Sequence, residues 1–300
     1  MKKLYFVLLC FWAMGIHAQP IDSLQVFLDS LEAKLNYQTG TIQFDSLGEI
    51  NVPQGFRYLD ANQTEYVLTE LWGNPDGSGT LGMLVPDNLS VMADNSWAFI
   101  ITYDAMGYVK DDDADDIDYE ELLEEMKADT EEANKEREQL GYSLVHLVGW
   151  ASEPYYDAEK KTLHWAKELR FAENETTTLN YNVRMLGRKG VLVMNAVSTM
   201  NELPLVKENI AKVQASFQFA EGMKYENFDP ELDEVAAWTI GGLVAGKMLA
   251  KAGILAFLLK YIKLVGLGLL AVGGAIWKWF KGRKRENPYA STTPPPAQNS

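Results

Sequence analysis

The chain has 300 residues, 47% of them hydrophobic, enough to bury a sizeable core in one large domain or two small ones. A net charge of −15 argues against nucleic-acid binding, which needs a positive face, and three histidines exclude a His-rich metal site. The single cysteine, Cys10, falls in the first 18 residues, so the rest of the chain has no disulfide, thiolate metal site or Cys nucleophile.

The charge is unevenly spread. Residues 19–234 carry 16 Lys/Arg against 41 Asp/Glu, a charge of −25, whereas residues 235–300 carry nine against one, or +8. An acidic body joined to a basic, apolar tail indicates two different solvents.

Residues 1–18, MKKLYFVLLCFWAMGIHA, have the form of a signal peptide: two lysines, an apolar run and Ala18 at the cut. Ile16 departs from the small residue usual three positions before cleavage, and an uncleaved anchor is the alternative. Residues 19–230 are expected to form an extracytoplasmic α+β domain. Leu24, Phe27, Leu28, Leu31 and Leu35 have helical spacing. Short strands are expected at 42–44, 49–52 and 56–59, with a turn at Pro53-Gln54-Gly55. Asp60 is placed to cap a helix through Trp72, which Gly73-Asn74-Pro75 stops. Strands follow at 81–86 and 97–103, the second apolar on both faces.

The run Asp111, Asp112, Asp113, Asp115, Asp116, Asp118 lacks the Gly and Glu spacing of a calcium loop. It reads as a solvated turn, with Asp118 and Glu121 forming a capping box for a helix over 119–140 that Gly141 ends. Strands are expected at 143–151, ended by Glu153-Pro154, then at 162–171, 178–186 and 191–197. Their short connections imply an antiparallel meander. Val206, Ile210, Val213 and Phe217 mark a helix packed on it.

The tail divides into an amphipathic juxtamembrane helix over 235–259, a transmembrane helix over 260–280, and a basic, then disordered, cytoplasmic tail over 281–300. The apolar run 264–277 reaches Phe280 if Lys278 snorkels, which gives about 25 Å of helix, near the short limit for a bilayer. KGRKR at 281–285 is a cytoplasmic-type stop. A hairpin of two spans, over 238–259 and 264–280, is the competing reading. Gly242 and Gly246 have dimerisation spacing, a weak signal in a Gly-rich segment.

Several groups on the meander are candidates for chemistry. Asp157 and His164 flank a hairpin loop and are the candidate acid–base pair for catalysis. Against this, Asp157 suits a turn cap and His164 a strand face. Trp150, Tyr155, Asn180, Arg184 and Arg188 are candidate binding residues, the arginines for a carboxylate or phosphate unless they pair with the chain's own acids. His146, in an apolar run, is expected in the core. No nucleophile elbow, zincin motif or P-loop occurs. No metal and no cofactor is expected.

Leu71-Trp72-Gly73-Asn74, Leu81-Gly82-Met83-Leu84, Val148-Gly149-Trp150-Ala151, Pro154-Tyr155-Tyr156-Asp157, Leu163-His164-Trp165-Ala166, Arg184-Met185-Leu186-Gly187-Arg188 and Gly222-Met223-Lys224-Tyr225 occur in this order along the chain. In these blocks the chain resembles the bacterial family called domain of unknown function 2167, over roughly residues 40–260. The resemblance implies an extracytoplasmic domain with a C-terminal membrane anchor and brings no activity, cofactor or catalytic residue.

The expected protein is thus a single-pass membrane protein whose main domain lies outside the cytoplasm, in the periplasm if the cell has an outer membrane. Its expected partners are the lipid bilayer, through the C-terminal helix, and an envelope or membrane protein. It is expected to be an interaction or ligand-binding module rather than an enzyme. The alternatives are an envelope hydrolase using Asp157 and His164, or an accessory subunit of a membrane complex.

Overall fold

The computed structural model describes residue 26 and residues 30–74, 76–93, 95–172 and 177–248. Ten strands form two antiparallel sheets. The small sheet contains β1 (Thr41–Phe44), β2 (Gly48–Asn51) and β10 (Phe217–Phe219), in the order β1-β2-β10. The large sheet contains β3 (Phe56–Asp60), β4 (Thr80–Pro86), β5 (Ala98–Asp104), β6 (Val145–Asp157), β7 (Thr162–Phe171), β8 (Thr178–Leu186) and β9 (Val191–Thr199). Its order is β3-β4-β5-β9-β8-β7-β6. The expected meander is present: β6 to β9 are sequential neighbours, and β9 inserts its other edge against β5.

Helix α1 (Ala61–Tyr66) is capped by Asp60, which accepts the Gln63 amide, and it widens into a π-helical turn over Val67–Leu71. Helix α2 (Tyr119–Gln139) starts on Asp118, whose carboxylate accepts the Glu120 and Glu121 amides at 3.0 Å. Gly141, at φ 75°, provides the left-handed turn after it. Helix α3 (Leu203–Ser216) and the short helix α4 (Ile240–Ala245) follow.

The period-2 alternation of the strands sorts their side chains onto two faces. On one face Phe99, Ile101, Tyr181, Val183, Leu192 and Met194 are buried under Val206, Ile210 and Val213 of α3 and under Ile50 and Phe217 of the small sheet. On the other, Leu59, Met83, Val85 and Ala98 pack against Val67 and Leu68 beside α1. At the opposite end of that second face α2 is fastened to β6, where the Asn134 side chain exchanges two hydrogen bonds with the Val145 backbone.

Three sequence expectations change. Pro154 does not end β6; the strand runs through it to Asp157. β6 is the edge of the sheet, where a missing N–H costs no ladder bond, and irregular register between Ser152 and Tyr155 absorbs the proline. His146 is not a core residue: it is partly exposed and bonds Glu131 at 2.7 Å. The acidic run is not simply solvated. Asp111 accepts hydrogen bonds from Tyr156, Lys161 and Tyr225, and Asp113 accepts the Ile240 and Gly241 amides.

The helix expected over 235–259 is described only to residue 248. There it is shorter than expected: Val235 bridges Tyr108, α4 spans six buried or partly buried residues, and Gly246 closes it at φ 74°. Its burial follows from its sequence, IGGLVA, which has no charged face to offer solvent. The leader, the expected span over 260–280 and the tail over 281–300 lie outside the described residues. Among the described residues no helix is long and apolar enough to cross a membrane.

Candidate functional site

Between its two helical covers, the second face of the large sheet carries a polar strip. Alternation along β8 places Asn180, Asn182 and Arg184 on it. Register then sets Lys167 of β7 opposite Asn180, Trp165 opposite Asn182, and Asn195 of β9 opposite Asn182 from the other side. Asp104, the last residue of β5, shares this face and pairs with Val191. An alternating strand in an acidic protein would ordinarily point such groups at water. Here Asn182 is buried, and Trp165 is 1% exposed.

The strip is electrostatically unusual. Arg184 Nη1 lies 3.1 Å from Asp104 Oδ2. The guanidinium also stands 5.4 Å from the centre of the Trp165 ring, within cation–π range. Desolvation lowers the Arg184 pKa, opposed by Asp104. The Lys167 side chain makes no ion pair or hydrogen bond among the described residues, and desolvation, then the Arg184 charge, lowers its pKa. Arg184 Nε, Trp165 Nε1 and Asn195 Oδ1 are buried and have no hydrogen-bond partner among the described residues.

A groove of about 460 Å³ opens over this strip, with Asp104 and Arg184 on one side and Trp238, Leu243 and Gly246 on the other. A smaller groove of about 300 Å³ lies between α2 and the sheet, with Lys167 and Ala245 in its lining. Helix α4 therefore borders both grooves. It is held there by Asp113 at its first amides, by the Thr239 cap on the Gly242 amide, and by Lys247 pairing with Asp129 and Glu125.

The residues singled out from sequence fall in different places. Arg184 and Asn180 belong to the strip. Asn180 Oδ1 accepts Asn182 Nδ2 at 2.7 Å. Arg188 does not join them; its Nε bonds Asp233 at 2.6 Å and its Nη1 the Gly222 carbonyl at 3.3 Å, which ties the β8–β9 turn to the segment leading to α4. Trp150 donates from Nε1 to the Tyr119 carbonyl at 3.2 Å and so seats the start of α2. Tyr155 is 50% exposed and stacks on His164, with ring centres 4.6 Å apart.

Asp157 and His164 are not joined by a hydrogen bond. Asp157 accepts the Glu159 and Lys160 amides and pairs with Lys160, the work of a turn cap. His164 is 2% exposed, its Nδ1 has no partner among the described residues, and burial pushes its pKa down to about 4. It lies on the opposite face of the sheet from Arg184. Among the described residues no group of His, Cys, Asp and Glu is arranged to hold a metal ion.

Sequence reasoning passed over Lys167, Asp104, Asn195 and Trp238. Lys167 did leave a signal, since it interrupts the apolar row Leu163, Trp165, Leu169 of its own strand. Asp104 and Trp238 left none, because their approach to Arg184 joins residues distant in the chain.

The fold and groove define an α+β domain with a cation-bearing site on an antiparallel sheet. The model of the family described as "Protein of unknown function (DUF2167)" matches residues 36–274, and the chain belongs to that family. No curated protein matches the sequence. Among solved structures it is similar to the solution structure of cyanobacterial PsbP (CyanoP) from Synechocystis sp. PCC 6803, at 12% identity and a TM-score of 0.34, covering 62% of this chain and 92% of that one.

Proposed function

We propose that this protein is a membrane-anchored, extracytoplasmic ligand-binding module of the cell envelope and that the groove between Arg184 and Trp238 is its binding site. The observation that carries the site is Arg184, a cation on a sheet face that lines a groove of about 460 Å³ and has one ion-pair partner, Asp104, among the described residues. Its volume falls within the range of small-molecule sites, and Trp238 gives it an aromatic wall. The location rests on the leader-like start, the apolar run over 264–277 with KGRKR after it, and the −25 charge of residues 19–234.

Two measurements test this reading. Mass spectrometry of the full chain purified in neutral detergent should find a bound small molecule, which Ala105→Trp, filling the groove wall, removes. A reporter at the C-terminus should be active on the cytoplasmic side, and added protease should digest the main domain from outside. An empty groove in the native chain, or a protected main domain, would overturn the corresponding half of the proposal.

A further inference from the structure

Resting on that groove reading, we infer that the ligand is an organic acid, a carboxylate or phosphate monoester with an apolar body, whose anionic group docks on the part of the Arg184 guanidinium that faces the groove. Three observations support it. First, the Arg184 side chain is 18% exposed and lines the groove, and among the described residues its one ion pair is Nη1 with Asp104. A guanidinium carries several N–H donors, so it can donate to a carboxylate or phosphate oxygen beside Asp104.

Second, the local charge runs against the global one. Residues 19–234 carry 41 acids against 16 bases, so an isolated cation should readily find a carboxylate. Lys167 has none among the described residues, and Arg184 has one that is 44% exposed. Both share one sheet face, so their positive field is focused on the strip. Both cations are partly buried, and an incoming anion would add a charge partner where water is scarce. Third, Met106, Leu243 and Trp238 line the same groove and suit an apolar or aromatic body. Within this arrangement Asp104 is a second carboxylate beside the docking position, and its like charge opposes the ligand's.

The test uses the full chain in neutral detergent and follows tryptophan fluorescence as phenyl phosphate, benzoate, inorganic phosphate or the neutral analogue benzyl alcohol is added. Phenyl phosphate or benzoate should bind and benzyl alcohol should not. Arg184→Gln should weaken binding by about tenfold or more, and Lys167→Met by a few-fold through the lost field. Asp104→Asn should tighten it by a few-fold, a gain that damage to the fold would not produce. Vesicles of phosphatidylglycerol against phosphatidylcholine separate the sources: a preference for the former at Arg184 assigns the anion to a lipid headgroup, and binding of the free acids alone assigns it to a soluble metabolite.

Equal binding of benzyl alcohol and benzoate, or unchanged affinity in Arg184→Gln, would overturn the anion. If Ala105→Trp still abolished binding, the groove itself would stand. No binding of any probe, to the native chain or to Asp104→Asn, would overturn the inference, and an empty purified chain would then remove the groove reading as well.

Discussion

Arg184 and Asp104 form an unequal pair: the arginine side chain is 18% exposed and the aspartate 44%. Removing either partner therefore has a different consequence. Asp104→Asn leaves a largely desolvated guanidinium facing a neutral group, at a cost of about 1–3 kcal/mol. Arg184→Met leaves a carboxylate that water reaches, and the loss is about 1 kcal/mol, some of it from the contact with Trp165. Urea unfolding of the two variants should rank Asp104→Asn as the less stable. Equal midpoints would mean that the pair is as wet on one side as on the other.

Asp111 is the staple of the fold. Its carboxylate gathers Tyr156 of β6, Lys161 of the β6–β7 turn and Tyr225 of the segment leading to α4, at 2.8, 2.9 and 3.0 Å. Desolvation raises its pKa, but the hydrogen bonds from Lys161, Tyr156 and Tyr225 outweigh it, and the net shift is downward. A carboxylate with a depressed folded pKa stabilises fully above its unfolded value of about 3.9 and loses that contribution as pH falls through the folded value. Asp111→Asn should cost about 2 kcal/mol at neutral pH and flatten the acid limb below about pH 4. An unaltered limb in a pH series of thermal midpoints would show that Asp111 does not carry it.

His164 titrates in a separate window. Burial depresses its folded pKa to about 4, so the unfolded chain takes up a proton near 6.5 that the folded chain refuses. Stability should fall as pH drops from about 6.5 to about 4, by roughly 3 kcal/mol in all, and level off below. His164→Phe keeps an aromatic ring under Tyr155 and removes the titration. Its stability should be nearly flat across that window, and a slope matching the native chain would refute the assignment.

Gly190 brings the β8–β9 turn against the end of β5. A Cβ added there would stand 2.2 Å from the Asp104 carbonyl oxygen and 2.9 Å from the Tyr103 ring. The nearest obstacle is backbone, which cannot rotate away. Gly190→Ala should destabilise by about 2–4 kcal/mol. Because the displaced residue is Asp104, the same variant should also change fluorescence from Trp238 in the groove. A midpoint within about 0.5 kcal/mol of the native chain would show that the turn can retreat freely.

The legible part of the fold was its local part. Strand alternation in β7 and β8, the Asp60 and Asp118 caps and the Gly141 stop are each fixed by residues a few positions apart, and each appears as expected. The β6 boundary was misread at Pro154 because a proline's tolerance depends on whether its strand is an edge, and strand order is not a local property. The acidic run was misread as solvated for a similar reason. The partners of Asp111 and Asp113 lie up to 128 positions away.

The same division applies to the candidate site. Sequence alone put Asn180 and Arg184 on one face of a strand, because a period of two leaves no alternative. It also established the acidic body, the basic tail and the family blocks, which are sums and patterns along the chain. Only the tertiary structure decided that Arg188 is taken by Asp233, that Asp157 and His164 share no hydrogen bond, that Trp165 and Asp104 gather around Arg184, and that Lys167 shares their sheet face. Those relations arise from register between strands and from α4 folding back onto the sheet. They join residues far apart in the chain, whose meeting is set by burial of the whole surface rather than by any local preference.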